Sequence, residues 1–116
     1  MVTNDPAVFA AIADPTRRAI LDALRGGERS AGDIAALFPV SRPAVSKHLR
    51  VLRRARLVGE RKVAQSRLYS LDPAPLREVD RWLDVYRTFW TARLLDLKRY
   101  AESPDARTDA RTDTGP

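Results

Sequence analysis

The sequence predicts a mainly α fold with a small β-hairpin wing and about five helices. Three observations point there. Apolar residues recur at three- and four-residue spacing through most of the first 101 positions. Helix-opening signals punctuate the chain at Asp5-Pro6, Asp14-Pro15, Ser41 with Pro43, and Asp72-Pro73. Each pairs a side chain that accepts from an early amide with a proline whose missing N–H costs nothing in a first turn. One stretch, residues 57–71, turns extended and rich in branched and aromatic residues.

Taken in order, Asp5-Pro6 opens a helix with Val8, Phe9 and Ile12 on one side. Asp14-Pro15 opens the second, whose expected buried face is Ala19, Ile20, Ala23 and Leu24, and Gly26-Gly27 end it. Ser30 caps a short third helix with Ile34, Ala35 and Leu37 as its apolar face. Phe38-Pro39-Val40 closes it, because Pro39 lacks a donor and moves Phe38 out of the helical region. Ser41 caps the fourth helix, expected over 41–55, with Pro43 in its first turn. Two helices joined so tightly cross steeply and leave the second prominent.

On a 100° wheel Val45, Leu49 and Leu52 pack inward, while Pro43, Ser46, Lys47, Arg50, Arg53 and Arg54 occupy the far side. His48, the only histidine, borders the apolar stripe and reads as a structural residue bonded to a backbone group or a phosphate. Leu57–Val63 and Arg67–Leu71 are the hairpin strands, with Ala64-Gln65-Ser66 as connection. That tip lacks the Gly or Asn that tight turns favour. Asp72-Pro73 starts the longest helix, about residues 74 to 101.

In that last helix Leu76, Val79, Leu83, Tyr86, Trp90, Leu94 and Leu97 form a stripe expected to dock on the body. Trp82, Val85, Phe89 and Tyr100 carry the apolar surface further round the helix. A small monomer would leave part of this exposed, and large exposed apolar patches mark interfaces. A homodimer is expected, through Phe9, Ile12, Trp82, Val85, Tyr86, Phe89 and Trp90. From Glu102 the chain contains Asp-Ala-Arg-Thr twice in tandem and no large apolar residue. The organisation read from this is one winged, dimerising domain over 1–101 and a disordered tail over 102–116.

Charge supplies the functional direction. Residues 41–67 hold nine Lys and Arg against a single acid, Glu60, while the whole chain is only +6, so the remainder is slightly acidic. A basic helix and basic hairpin on such a body suit double-stranded DNA. The pattern is a winged helix-turn-helix. Ser41 and Arg42 lie at the start of the prominent helix, the part that reaches base edges in such folds. Arg42, Ser46 and Lys47 are expected in the groove, with Arg50, Arg53 and Arg54 nearer the phosphate walls. Arg61, Lys62, Gln65 and Arg67 of the wing are expected on phosphates or a neighbouring groove.

The run from Asp14-Pro15-Thr16-Arg17-Arg18 through Ile20-Leu21, then Ser41-Arg42-Pro43-Ala44-Val45-Ser46-Lys47-His48-Leu49, then Leu52 to Val58, resembles the ArsR/SmtB family of small bacterial repressors. The resemblance covers roughly residues 5 to 100 and implies a homodimer that binds an operator near its own promoter. It places the DNA-reading helix on Ser41 to Ala55 and the wing on Arg61 to Arg67.

Many members of that family sense metals through cysteines or through histidines and carboxylates of the last helix. This chain has no cysteine, and its last helix has no histidine. Thiolate metal sites and disulfide switches each need a Cys sulfur, and Asp80 with Asp84 suits at most a weak hard-cation site. The expectation is the metal-independent, autorepressor-like branch, with no metal, no cofactor and no effector ligand that these residues name. No signal-peptide pattern and no run of 18 apolar residues is present, so a cytoplasmic protein without a membrane partner is expected. No nucleotide loop or Ser/His/Asp set is present, and catalysis is not expected. A protein-interaction scaffold and a non-specific DNA compactor remain the alternatives to a sequence-specific repressor.

Overall fold

The computed structural model describes residues 6–104. Along the chain it has α1 (Pro6–Ile12), α2 (Pro15–Leu24), β1 (Arg29–Ser30), α3 (Ala31–Ala35) and α4 (Arg42–Arg54). Then come β2 (Val58–Val63), β3 (Ser66–Leu71), a 3-10 turn at Ala74–Leu76 and α5 (Arg77–Ala101). Three of the expected caps are formed. Asp14 accepts from the Arg17 amide at 3.0 Å, Ser30 Oγ from Asp33 at 3.1 Å and Ser41 Oγ from Ala44 at 3.2 Å. Each satisfies an amide that the first helical turn would leave without a partner. Asp72 also accepts, from the Ala74 amide at 3.1 Å, but the turn it starts is 3-10, so the α-helix begins at Arg77 rather than 74.

The core of the unit ending at Asp80 is drawn from α1 to α4 and from the sheet. Val8 and Ala11 of α1, Ile20, Leu21 and Leu24 of α2, Ile34 of α3, and Val45, Leu49 and Leu52 of α4 are buried, with Leu57, Val58 and Tyr69 from the sheet side. Two expectations shift here. Leu21 rather than Ala19 or Ala23 completes the buried face of α2, because a leucine removes far more apolar area from water than an alanine. Helix α3 stops at Ala35, ahead of Pro39, so Leu37 leaves the helical phase and is half exposed, while Phe38 and Val40 pack against the core instead.

The end of α4 explains how the chain turns into the sheet. Arg56 adopts φ 62°, the Arg56 amide donates to Arg53 O at 2.9 Å, and the Leu57 amide donates to Leu52 O at 3.0 Å. This is a Schellman ending, and Leu52 and Leu57, at the two positions where that motif places an apolar pair, are both fully buried. The usual residue at the left-handed position is glycine; here it is arginine.

The sheet has three antiparallel strands in the order β1-β3-β2. Strand β1, only two residues long, pairs Arg29 with Tyr69 and Ser30 with Leu68. The hairpin runs from Val58↔Leu71 to Val63↔Ser66. Its tip is therefore two residues, Ala64 and Gln65, rather than the expected three, and Ala64 takes φ 54°.

Residues from Arg81 form a second unit, with the boundary inside α5. Leu76 and Val79 lie before it and pack against the first unit's core. Beyond it, Trp82 and Tyr86 meet edge-to-face at 5.3 Å and Tyr86 and Trp90 at 6.4 Å. Arg93 sits 4.9 Å over the Phe89 ring. Tyr86, Trp90, Leu94 and Leu97, expected in a docked stripe, are exposed, and no residue of α5 is buried. The helix carries more apolar side chains than a single copy covers. The expected tail lies outside the described residues from 105 onward. No helix among the described residues is long and apolar enough to cross a membrane.

Candidate nucleic-acid interface

Helix α4 is seated by Val45, Leu49 and Leu52, and this fixes which side chains stand outward. Arg42, Ser46, Arg50 and Arg53 line one side of a groove of about 550 Å³. Gln65, Ser66 and Arg67 of the hairpin line the other, with Ser30, Ala31 and Gly32 at one end and Glu60 and Tyr69 also on its wall. The fold thus brings six of the sequence-expected residues, Arg42, Ser46, Arg50, Arg53, Gln65 and Arg67, to one concave basic surface. Ser41, Pro43, Lys47 and Arg54 are exposed on α4 but do not line it. Arg61 and Lys62 do not line it either.

The hairpin register sorts the wing cations. Side chains alternate faces along a strand, so Val58, Glu60 and Lys62 share a face with their partners Leu71, Tyr69 and Arg67. Gly59, Arg61 and Val63 share the other. Arg61 is therefore held on the face opposite Arg67. There it makes a two-pronged ion pair with Glu28, Nε to Oε2 at 2.7 Å and Nη2 to Oε1 at 2.8 Å. The same bond holds the Glu28 carboxyl below its ordinary pKa and raises that of Arg61.

Glu60 was visible in the sequence only as the exception to a basic run. In the fold it pairs with two arginines, one from α4 and one from the wing. Oε2 is ion-paired with Arg53 Nη1 and Oε1 accepts from Arg67 Nη1, both at 3.1 Å, and its side chain is only 15% exposed. Burial first, and then hydrogen bonding to Glu60, push the Tyr69 phenol above its ordinary pKa. The signal that could have found it was its isolation: one acid among nine cations, opposite an aromatic residue in the hairpin.

His48 is half-buried, with Nδ1 3.3 Å from Arg17 Nη1. A guanidinium has only donors, so Nδ1 accepts. The partner is thus a side chain rather than the backbone group or phosphate expected. Arg17 also donates from Nε to Ala11 O at 2.7 Å and from Nη2 to Ala10 O at 2.9 Å, while Arg18 donates to Ile12 O at 2.8 Å. The Asp14-Pro15-Thr16-Arg17-Arg18 run is therefore a cap followed by two arginines that satisfy the last carbonyls of α1. Through His48 it also braces α4. The Arg17 amide bond lowers the Asp14 pKa.

A family model described as a helix-turn-helix domain matches residues 12–61. The chain is 45% identical over 76 residues to the transcriptional repressor SdpR of Bacillus subtilis, covering 66% of this chain and 84% of that protein. It is 46% identical over 95 residues to the HTH-type transcriptional regulator Rv2034 of Mycobacterium tuberculosis, covering 82% and 86%. Among solved structures, an ArsR-like transcriptional regulator from Rhodococcus sp. RHA1 superposes with a TM-score of 0.62 at 39% identity, covering 84% of this chain and 92% of that one. The chain belongs to the ArsR/SmtB family. Its fold is the winged helix-turn-helix of these DNA-binding transcriptional repressors, with α3 and α4 as the motif and β2–β3 as the wing. Among the described residues no three His, Cys, Asp or Glu side chains gather where a metal ion could be held.

Proposed function

We propose that this ArsR/SmtB protein is a homodimeric repressor that reads a pseudo-palindromic operator with α4 and braces the complex with its wing. The observation that carries the reading is the shared groove, in which α4 and the hairpin present Arg42, Ser46, Arg50, Arg53, Gln65 and Arg67 together. Arg42, Ser46 and Lys47, near the start of α4, read base edges; arginine and lysine bond guanine acceptors in the major groove. Arg50, Arg53, Arg54, Lys62 and Arg67 meet phosphates. Arg61 contributes less, because Glu28 holds it by two hydrogen bonds on the face away from the groove.

The exposed α5 side chains Trp82, Val85, Tyr86, Phe89 and Trp90, together with Phe9 and Ile12 of α1, are covered by a second copy of the chain. Two copies set their recognition helices about one DNA turn apart, roughly 34–36 Å, which matches a palindrome. The protein acts in the cytoplasm, where the DNA is, and carries no catalytic function. It falls in the metal-independent, autorepressor-like branch, since no cysteine is present to supply a thiolate.

Selection from random-sequence duplexes with purified protein, followed by competition against shuffled DNA, tests the reading. The expected result is one pseudo-palindromic sequence preferred by ~10³–10⁷. Retention of all duplexes alike would make the protein a compactor, and no retention would make it a scaffold.

A further inference from the structure

We infer that Glu60 is a specificity-setting positioning residue: it holds Arg53 of the recognition helix and Arg67 of the wing in fixed orientations and withholds them from DNA that does not fit the groove. The inference rests on the DNA-reading role of the groove proposed above. Among the described residues lining that groove Glu60 is the single acid, beside four arginines. A carboxylate there repels every phosphate that approaches, whatever the sequence. For affinity alone the position would be better filled by almost any other residue.

The geometry supplies the compensating gain. Arg53 Nη1 lies 3.1 Å from Glu60 Oε2 as an ion pair, and Arg67 Nη1 donates to Oε1 at 3.1 Å. A guanidinium carries five N–H donors in a rigid fork, so the remaining donors stay available and are aimed. The Arg53 and Arg67 side chains are 49% and 63% exposed, whereas that of Glu60 is 15% exposed, so the anchor is sheltered and the anchored groups face outward. Tyr69, largely buried, is the register partner of Glu60 on the strand opposite. A duplex seated at full depth meets donors whose rotamer freedom is already restricted, and loses little entropy in using them. A duplex resting across the groove mouth meets two arginines shared with a carboxylate and gains less. The discrimination comes from depth of fit.

Glu60→Gln removes the charge at constant size. Its carboxamide also turns an NH₂ donor toward one of the two guanidiniums, which have no acceptor, so one arginine is released. Binding is measured by fluorescence anisotropy over a salt series, using the selected duplex and a shuffled duplex of equal composition. For Glu60→Gln the shuffled duplex should bind more tightly, its salt slope should steepen by about 0.9 for the phosphate gained, and the preference ratio should fall roughly tenfold, the scale of one lost oriented contact. A purely structural role for Glu60 would move both duplexes by one factor and leave the slope unchanged, and that result overturns the inference. Thermal melting establishes that the variant is folded. If it is not, Glu60→Asp decides: the charge is kept, the carboxylate is too short to span both arginines, and an unchanged ratio overturns the inference. A wild-type protein with no preference between the duplexes refutes the groove's reading role itself, and this inference with it.

Discussion

Arg61 and Glu28 stand 33 residues apart in the chain and are joined by two parallel hydrogen bonds of 2.7 and 2.8 Å. This pair holds Arg61 on the face away from the groove, while Arg67 on the other face is shared with Glu60 and lines the groove. Arg61→Ala is therefore expected to change the salt slope of DNA binding by clearly less than about 0.9, the value for one phosphate contact, which Lys62→Ala should remove in full. Glu28→Gln should raise affinity for all sequences. Equal slopes for Arg61→Ala and Lys62→Ala would show that DNA displaces Glu28.

The same pair has a pH signature. Glu28 titrates below the ordinary glutamate value because Arg61 bonds its ionised form. A group with a depressed folded-state pKa stabilises the fold above its unfolded pKa, and that contribution is lost as pH falls through the depressed value. The window thus lies below about pH 4.5. Carbon-13 NMR titration of the Glu28 carboxyl should show its midpoint rising toward the ordinary value in Arg61→Ala. An unmoved midpoint would mean the pair is not formed in solution.

At the start of α4, Ser46→Ala and Lys47→Ala should weaken operator binding by about 1–3 kcal/mol each and relax preference at particular base pairs. Their positions on the outward face near the N-terminus motivate this. Lys62→Ala should instead weaken binding to all sequences similarly. Selection repeated with each variant tells these outcomes apart, and an unaltered selected sequence for both α4 variants would reassign the reading residues.

Arg56 holds a left-handed conformation at φ 62° in the ending of α4. A side chain there costs roughly 1–2 kcal/mol, partly offset in a comparison with glycine by glycine's larger unfolded-state entropy. Arg56→Gly should stabilise the protein by about 0.5–1 kcal/mol, read as a higher denaturant midpoint at unchanged slope. A loss of stability would mean that the arginine side chain makes a compensating interaction.

The apolar surface of α5 predicts the oligomeric state. Phe89 is 53% and Val85 74% exposed in the single chain. Sedimentation of the wild type should give twice the chain mass, and Phe89→Glu should give one, with operator affinity falling as the two half-sites are uncoupled. A monomeric wild type would overturn the dimer.

Zinc, nickel, cobalt, cadmium and arsenite should leave the operator complex intact, because one histidine and no cysteine per chain cannot supply the several N or S donors such ions take. Release of DNA at one ion per chain or per dimer, followed by anisotropy, would contradict this.

Much of the fold was legible because its signals act over three or four residues. A cap and its amide, as in Asp14 with Arg17 or Ser41 with Ala44, are neighbours in any conformation that starts a helix. The spacing of Val45, Leu49 and Leu52 decides which side of α4 is buried wherever that helix lies, and so decides which side is basic. The length of the hairpin turn was not legible. Ala64 at φ 54° is a conformation its residue type disfavours, and it is held by the strand pairing on either side of the tip. That register then determines which cations are matched. By itself, then, the sequence determined that a capped basic helix and a basic hairpin would form. Only the tertiary structure decided that Arg61 would meet Glu28 on one face while Arg53 and Arg67 met Glu60 on the other. The physical reason is reach: helix caps and periodicity are local, whereas an ion pair depends on where distant backbone segments bring two charges within about 3 Å of each other.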